Sequence, residues 1–142
     1  MMMTRMMLTM TVVAAVGAPG CDDGDGTTND GPIELVGSWS SAFGDETITA
    51  TRWDGFCLQK IASHDNGANV AVLETDGGEG CGTGFNRVVW LEPSGDSFYY
   101  CTTAFGAESA AAAANAPEQG VDRGDTAAGC AGFPWSQLTK KP

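Results

Sequence analysis

Phe85-Asn86-Arg87-Val88-Val89-Trp90-Leu91-Glu92-Pro93-Ser94-Gly95-Asp96-Ser97-Phe98-Tyr99-Tyr100-Cys101 is the stretch whose reading decides the fold. Two runs of β-branched and aromatic residues flank Pro93-Ser94-Gly95-Asp96, a cluster of turn formers. Side chains of this kind suit a pleated, half-buried surface, and the polar punctuation between them reverses the chain, so the segment predicts two antiparallel strands over 85–91 and 97–103. Tyr99 and Tyr100 are adjacent, so on a strand they must point to opposite faces.

Upstream the same grammar repeats. Strands are expected over 34–43, with Leu35, Trp39 and Phe43; over 46–53, rich in Thr and Ile; over 56–63, after a tight Asp54-Gly55 turn; and over 69–74, after Asp65-Asn66-Gly67. Downstream the pattern changes. Residues 108–116 are dense in Ala and stop before Pro117, which predicts one short helix. A helix that short does not hold in water by itself and has to dock on the sheet. Residues 118–129 read as a polar loop, and 132–138 as a last strand that covers an open sheet edge. The fold class is therefore mainly β: an antiparallel meander with one short C-terminal helix, in a single domain spanning 34–142.

The beginning of the chain is different in kind. Arg5 is the single charge before an apolar run, Met6 to Val16, that is too short to span a bilayer. Small residues follow and end at Ala18-Pro19-Gly20-Cys21. Ala18, Gly20 and Cys21 fit a lipoprotein signal peptide over 1–20, cleaved before Cys21, with Pro19 an uncommon residue in that setting. Five cysteines are present, and assigning Cys21 to lipid leaves Cys57, Cys81, Cys101 and Cys130, an even set for disulfides in an oxidising compartment. The expected pairs are Cys101–Cys130, which would fasten the C-terminal segment back onto the strand ending near Thr103, and Cys57–Cys81. Residues 21–33 are rich in Gly and Asp and poor in apolar side chains, which predicts a flexible acidic tether. These features together predict a chain held in the cell envelope by its lipid anchor, on the periplasmic or extracellular side of a membrane.

Eighteen acidic residues against seven Lys and Arg give a net charge of −11, and loss of Arg5 makes the mature chain one unit more negative. Such a surface repels nucleic acid and favours cationic partners. Signatures of catalysis are missing from the sequence. His64 is the lone histidine, and no nucleophile elbow, phosphate loop or metalloprotease pair accompanies it. The cysteines lack the paired spacing of a zinc site. Gly78-Glu79-Gly80-Cys81-Gly82-Thr83-Gly84 precedes no helix and reads as a disulfide-pinned hairpin loop rather than a cofactor loop. Asp23, Asp25, Thr27 and Glu34 approach the spacing of a calcium loop, but Thr28 stands where that loop needs glycine. The expectation is a protein without cofactor or enzymatic activity, whose β-domain binds a partner or ligand or serves structurally.

Two resemblances bear on this. Gly37-Ser38-Trp39 at the head of a meander resembles the Gly-x-Trp opening of the calycins, the lipocalin and avidin superfamily, in which the Trp plugs one end of a barrel. That resemblance implies a small barrel with Trp39 at one end; the plainer reading is a core Trp on a first strand. A broader one covers residues 34–138. Gly-x-Trp, Phe85-x-Arg87-x-x-Trp90, Tyr99-Tyr100-Cys101 and Cys130-x-Gly132-Phe133-Pro134-Trp135 are similar to segments of a group of small predicted bacterial lipoproteins, a likeness that implies no activity. Finally, Ser94-Gly95-Asp96-Ser97-Phe98-Tyr99 is one substitution away from the Ser-Gly-x-x-Tyr motif of small acidic lipoproteins that inhibit lysozyme. Ser94, Gly95 and Tyr99 are accordingly a candidate interaction turn, and inhibition of a secreted cationic enzyme is the alternative function.

Overall fold

A computed structural model of the chain describes residues 31–142. The signal segment, Cys21 and the tether up to residue 30 lie outside the described residues. The domain is an eight-stranded antiparallel sheet with one short helix: β1 (Gly37–Ser41), β2 (Gly44–Ile48), β3 (Trp53–Asp54), β4 (Leu58–Asp65), β5 (Val70–Gly77), β6 (Gly84–Trp90), β7 (Ser97–Ala107), α1 (Ala110–Ala114) and β8 (Ser136–Lys140). The spatial order is β3-β2-β1-β8-β7-β6-β5-β4. Apart from β3 and β4, which stand at the two edges, every strand lies beside its neighbours in sequence, and β8 returns to fill the gap between β7 and β1, the edge-covering role expected of the C-terminal segment.

The sheet curls until its two edge strands meet. Across that seam the Ile61 N–H donates to the Thr51 carbonyl at 2.8 Å, and Arg52 bridges to Lys60. Arg52 also ties the seam by charge, with Nε 2.8 Å from Asp54 and Nη1 3.1 Å from Asp76, and Lys60 lies 3.6 Å from Asp76. The result is a nearly closed barrel.

Period-two alternation sorts side chains between an inner and an outer core. Trp39, Ile48, Trp53, Leu73, Val88, Trp90, Phe98 and Leu138 face inward as one buried cluster. Val89 and Cys101, one residue out of phase, face outward and pack with Trp135, with Tyr99, Val121 and Cys130 around them. Tyr100 packs against the inner cluster and Tyr99 against the outer, the opposed faces expected of the pair. The outer core is roofed by residues 117–135, fastened to β7 by the Cys101–Cys130 disulfide. Gly129 is required where that roof folds on itself: a Cβ there would lie 2.1 Å from the Asp122 carbonyl and 2.2 Å from that of Asp125.

Several boundaries differ from the sequence expectation for identifiable reasons. The strand expected over 34–43 begins only at Gly37, because Ile33 and Leu35 turn inward and cap the barrel. The one expected over 46–53 is broken. The Thr49 hydroxyl accepts the N–H of Thr51 (3.3 Å) and of Arg52 (3.0 Å), and this local capture turns the chain between β2 and β3. Residues 55–57 form a short loop rather than a tight two-residue turn, with the Gly55 N–H donating to the Cys57 carbonyl at 3.0 Å. β7 continues to Ala107, and β8 starts after Trp135 rather than at 132. The helix is confined to Ala110–Ala114, capped where Ser109 Oγ accepts the Ala112 N–H (3.1 Å), and it docks through the buried Ala113. Arg87 anchors the chain beyond it, with Nη2 2.8 Å from Glu118 and Nη1 donating to the Ala116 carbonyl at 3.4 Å.

Candidate functional site

The two ends of the barrel are built from different residues. At one end Ile33, Leu35, Trp39, Trp90 and Phe98 fill the interior. Both indole N–H groups there are satisfied by the incoming chain: Trp39 Nε1 donates to the Leu35 carbonyl (2.9 Å) and Trp90 Nε1 to Glu34 Oε1 (2.6 Å). Trp39 and Phe98 meet edge to face, with ring centroids 4.7 Å apart. The chain enters the domain at this end, where Asn66 Nδ2 donates to the Pro32 carbonyl at 3.1 Å and His64 Nε2 lies 3.1 Å from that of Gly31.

The other end is open. A cavity of about 810 Å³ descends from the mouth into the barrel. That is within the range of roughly 300–1,000 Å³ typical of small-molecule sites. Its walls carry Leu73, Thr75, Val88 and Thr102, side chains far smaller than the tryptophans below. Its floor is Glu46, Trp53 and Tyr100. Trp53 Nε1 donates to Glu46 Oε2 at 2.6 Å and the Tyr100 hydroxyl to Oε1 at 3.1 Å, while the two rings sit edge to face at 5.2 Å. Burial raises the Glu46 pKa above the usual carboxylate value, and the two hydrogen bonds oppose that rise. Tyr100 is held well above the usual phenol range, by burial first and then by the neighbouring carboxylate charge. Gly55 leaves Glu46 its room, since a Cβ at Gly55 would lie 2.7 Å from Glu46 Cγ.

Above the floor, Thr75 Oγ1 accepts from Asn86 Nδ2 (3.1 Å) and Gln59 Nε2 (3.4 Å), and Asn86 Oδ1 accepts the Gly106 N–H (2.9 Å). The mouth is ringed by Phe43 in the β1–β2 turn, Phe56 in the β3–β4 loop and Phe105 near the end of β7, exposed by 82%, 76% and 77%. The Cys57–Cys81 disulfide joins two loops of this rim and pins the glycine-rich 78–84 segment.

The other candidate residues lie elsewhere. Ser94 and Gly95 are exposed in the β6–β7 loop, at the plugged end, where Ser94 and Ser97 exchange backbone hydrogen bonds of 2.9 and 3.3 Å. Tyr99 packs on the outer core rather than projecting from that turn, and Phe98, at the spacing of the inhibitor motif's tyrosine, is fully buried. Among the described residues no group of three His, Cys, Asp or Glu is placed to hold a metal ion, and no helix is long and apolar enough to cross a membrane.

Glu46 and the cavity are what sequence reasoning missed. A carboxylate in a Thr-rich strand reads as a solvent-facing residue, yet Glu46 shares the phase of Ile48, which is a core position. Comparison with family models, with curated proteins and with solved structures returns no match.

Proposed function

We propose that this chain is an exported lipoprotein, anchored to a membrane through a lipid on Cys21, whose barrel binds a small amphipathic molecule and catalyses no reaction. The observation that carries the reading is the asymmetry of the barrel interior: one end is filled with aromatic side chains, whereas the other opens into a mostly apolar cavity of about 810 Å³ with a few polar side chains on its walls and floor. Concave, mostly apolar sites with sparse, fixed polar groups are the usual form of ligand pockets. Two disulfides suit an oxidising compartment outside the cytoplasm. The chain also enters the domain at the plugged end, so an anchor upstream of Gly31 leaves the mouth free to face away from its membrane.

Two measurements test the reading. Labelled palmitate enters the wild-type chain and fails to enter Cys21→Ala; equal labelling contradicts the anchor. Neutral N-phenylnaphthylamine binds saturably with one site per chain, and Val88→Trp, which narrows the cavity, abolishes that binding. Absence of saturable binding, or binding unaffected by Val88→Trp, contradicts the ligand-binding role.

A further inference from the structure

The floor of the cavity has a charge that nothing in the cavity answers. Asp45 and Glu46 are the acidic residues among those lining it, and among the described residues no Lys, Arg or His lines it. Asp45 is ion-paired with Lys141. Glu46 receives two neutral donors, Trp53 Nε1 and the Tyr100 hydroxyl, and no cation. Each carboxylate oxygen accepts one of these bonds and retains a further lone pair. A carboxylate withdrawn from water without a cationic partner is unfavourable, and a positively charged group brought to it is favoured by charge and by hydrogen bonding together.

The surroundings select in the same direction. Trp53 and Tyr100 hold the carboxylate from two sides through their N–H and O–H groups, which fixes its oxygens for a further donor arriving from the cavity. The two donors nearest the carboxylate are already committed, and each side-chain amide above them has one N–H engaged. The Trp53 and Tyr100 donors go to Glu46, the amides of Gln59 and Asn86 donate to Thr75, and the Gly106 N–H goes to Asn86. Above them uncharged walls, of Leu73 and Val88 among Thr, Gln and Asn side chains, lead to Phe43, Phe56 and Phe105, a path that suits a hydrocarbon body rather than a second charge.

We infer that the cavity takes an amphiphile with a protonated amine head, held on Glu46 between Trp53 and Tyr100, with its apolar body directed toward the phenylalanine rim. This deepens the ligand-binding reading and rests on it. An anionic amphiphile with the same tail is disfavoured by repulsion from Glu46, whose two neighbouring donors are already engaged.

The test uses three probes with one tail and different heads, octylammonium, octanol and octanoate, each displacing N-phenylnaphthylamine from the full chain at neutral pH. Octylammonium binds at least tenfold more tightly than octanoate, with octanol between them. In Glu46→Gln, octylammonium affinity falls about tenfold, and its preference over octanol and octanoate is lost. Octanoate binding as well as octylammonium overturns the inference, as does a Glu46→Gln protein that keeps the preference. If octanol binds in either case, the ligand pocket survives and only its selectivity is wrong. If none of the three binds, the pocket reading falls with it. The wild-type ranking decides the matter by itself should Glu46→Gln fold poorly.

Discussion

The plugged end and the open end of this barrel are made from the same strands in the same phase, and they differ in the size of what points inward. Moving along β6 from mouth to plug, the inward residues are Asn86, Val88 and Trp90; along β7 from plug to mouth they are Phe98, Tyr100 and Thr102. Backbone pairing of β6 with β7 runs through both halves, with bulges around Arg87 on the mouth side, so a layer can be solid or hollow on the same ladder. Side-chain volume, together with Ile33 and Leu35 of the entering chain, turns one half into a core and leaves the other a cup. Polar handles follow the same division. The indoles of the plug donate to residues 34 and 35, which belong to the entering chain, whereas the indole at the floor of the cup donates to a carboxylate that faces the cavity.

The division implies very different mutational costs at the two ends. Trp90 is fully buried and bonded to Glu34, so Trp90→Ala should destabilise the domain by about 3–5 kcal/mol in chemical denaturation. Phe43→Ser and Phe105→Ser at the rim should change stability by less than about 0.5 kcal/mol while weakening N-phenylnaphthylamine binding. Comparable losses at both ends would dissolve the distinction.

The disulfides sharpen the comparison, because one belongs to the rim and the other to the outer roof. Removing Cys101–Cys130, which spans 29 residues, should cost roughly 3–4 kcal/mol in the chain-entropy model and leave probe affinity unaltered. Removing Cys57–Cys81, which spans 24, should cost a similar amount and also speed probe release, since Phe56 and the 78–84 segment lose their tie. Stopped-flow release rates separate the two. Identical release from both variants would mean that the rim is not held by its disulfide.

Much of this was legible in the sequence, and the limits have physical causes. Alternation in Val88-Val89-Trp90 and Phe98-Tyr99-Tyr100-Cys101 carries both cores, because on a strand phase alone decides the face. The meander followed from turn residues between short apolar runs. The break at 49–52 was hidden, since a Thr hydroxyl that captures backbone N–H groups looks, in sequence, like a good strand residue. The cavity was hidden for a deeper reason. Phase says which residues face inward, but the space between them depends on which layers meet around the closed barrel, and that is a property of register. Glu46 is one acid among eighteen in the sequence, although its phase with Ile48 places it inside.

The smallest expected effect concerns protons at the floor. Because burial raises the Glu46 pKa, the folded state holds that proton more tightly than the unfolded chain does. The contribution to stability is complete below the ordinary value of 4.5 and is lost as pH rises through the raised one. Asp54 and Asp76 behave oppositely: hydrogen bonds from Arg52 lower both pKa values, so their contribution is lost as pH falls. Those two carboxylates are common to wild type and Glu46→Gln and cancel in the difference. The melting temperature of Glu46→Gln minus that of wild type should therefore increase from pH 4 to pH 7. A difference that is flat or falls over that interval would contradict a desolvated Glu46.

The central claim, that the cup is a ligand site and the plug is not, is tested most directly by amide and indole NMR shifts during titration with octanol. The account predicts saturable changes at the Trp53 indole and at the amides of Val88 and Thr102, with the Trp39 and Trp90 indoles and the Trp135 outer core unmoved. Changes centred on Trp90 and Leu35, or spread over Val121 and Trp135, would contradict it.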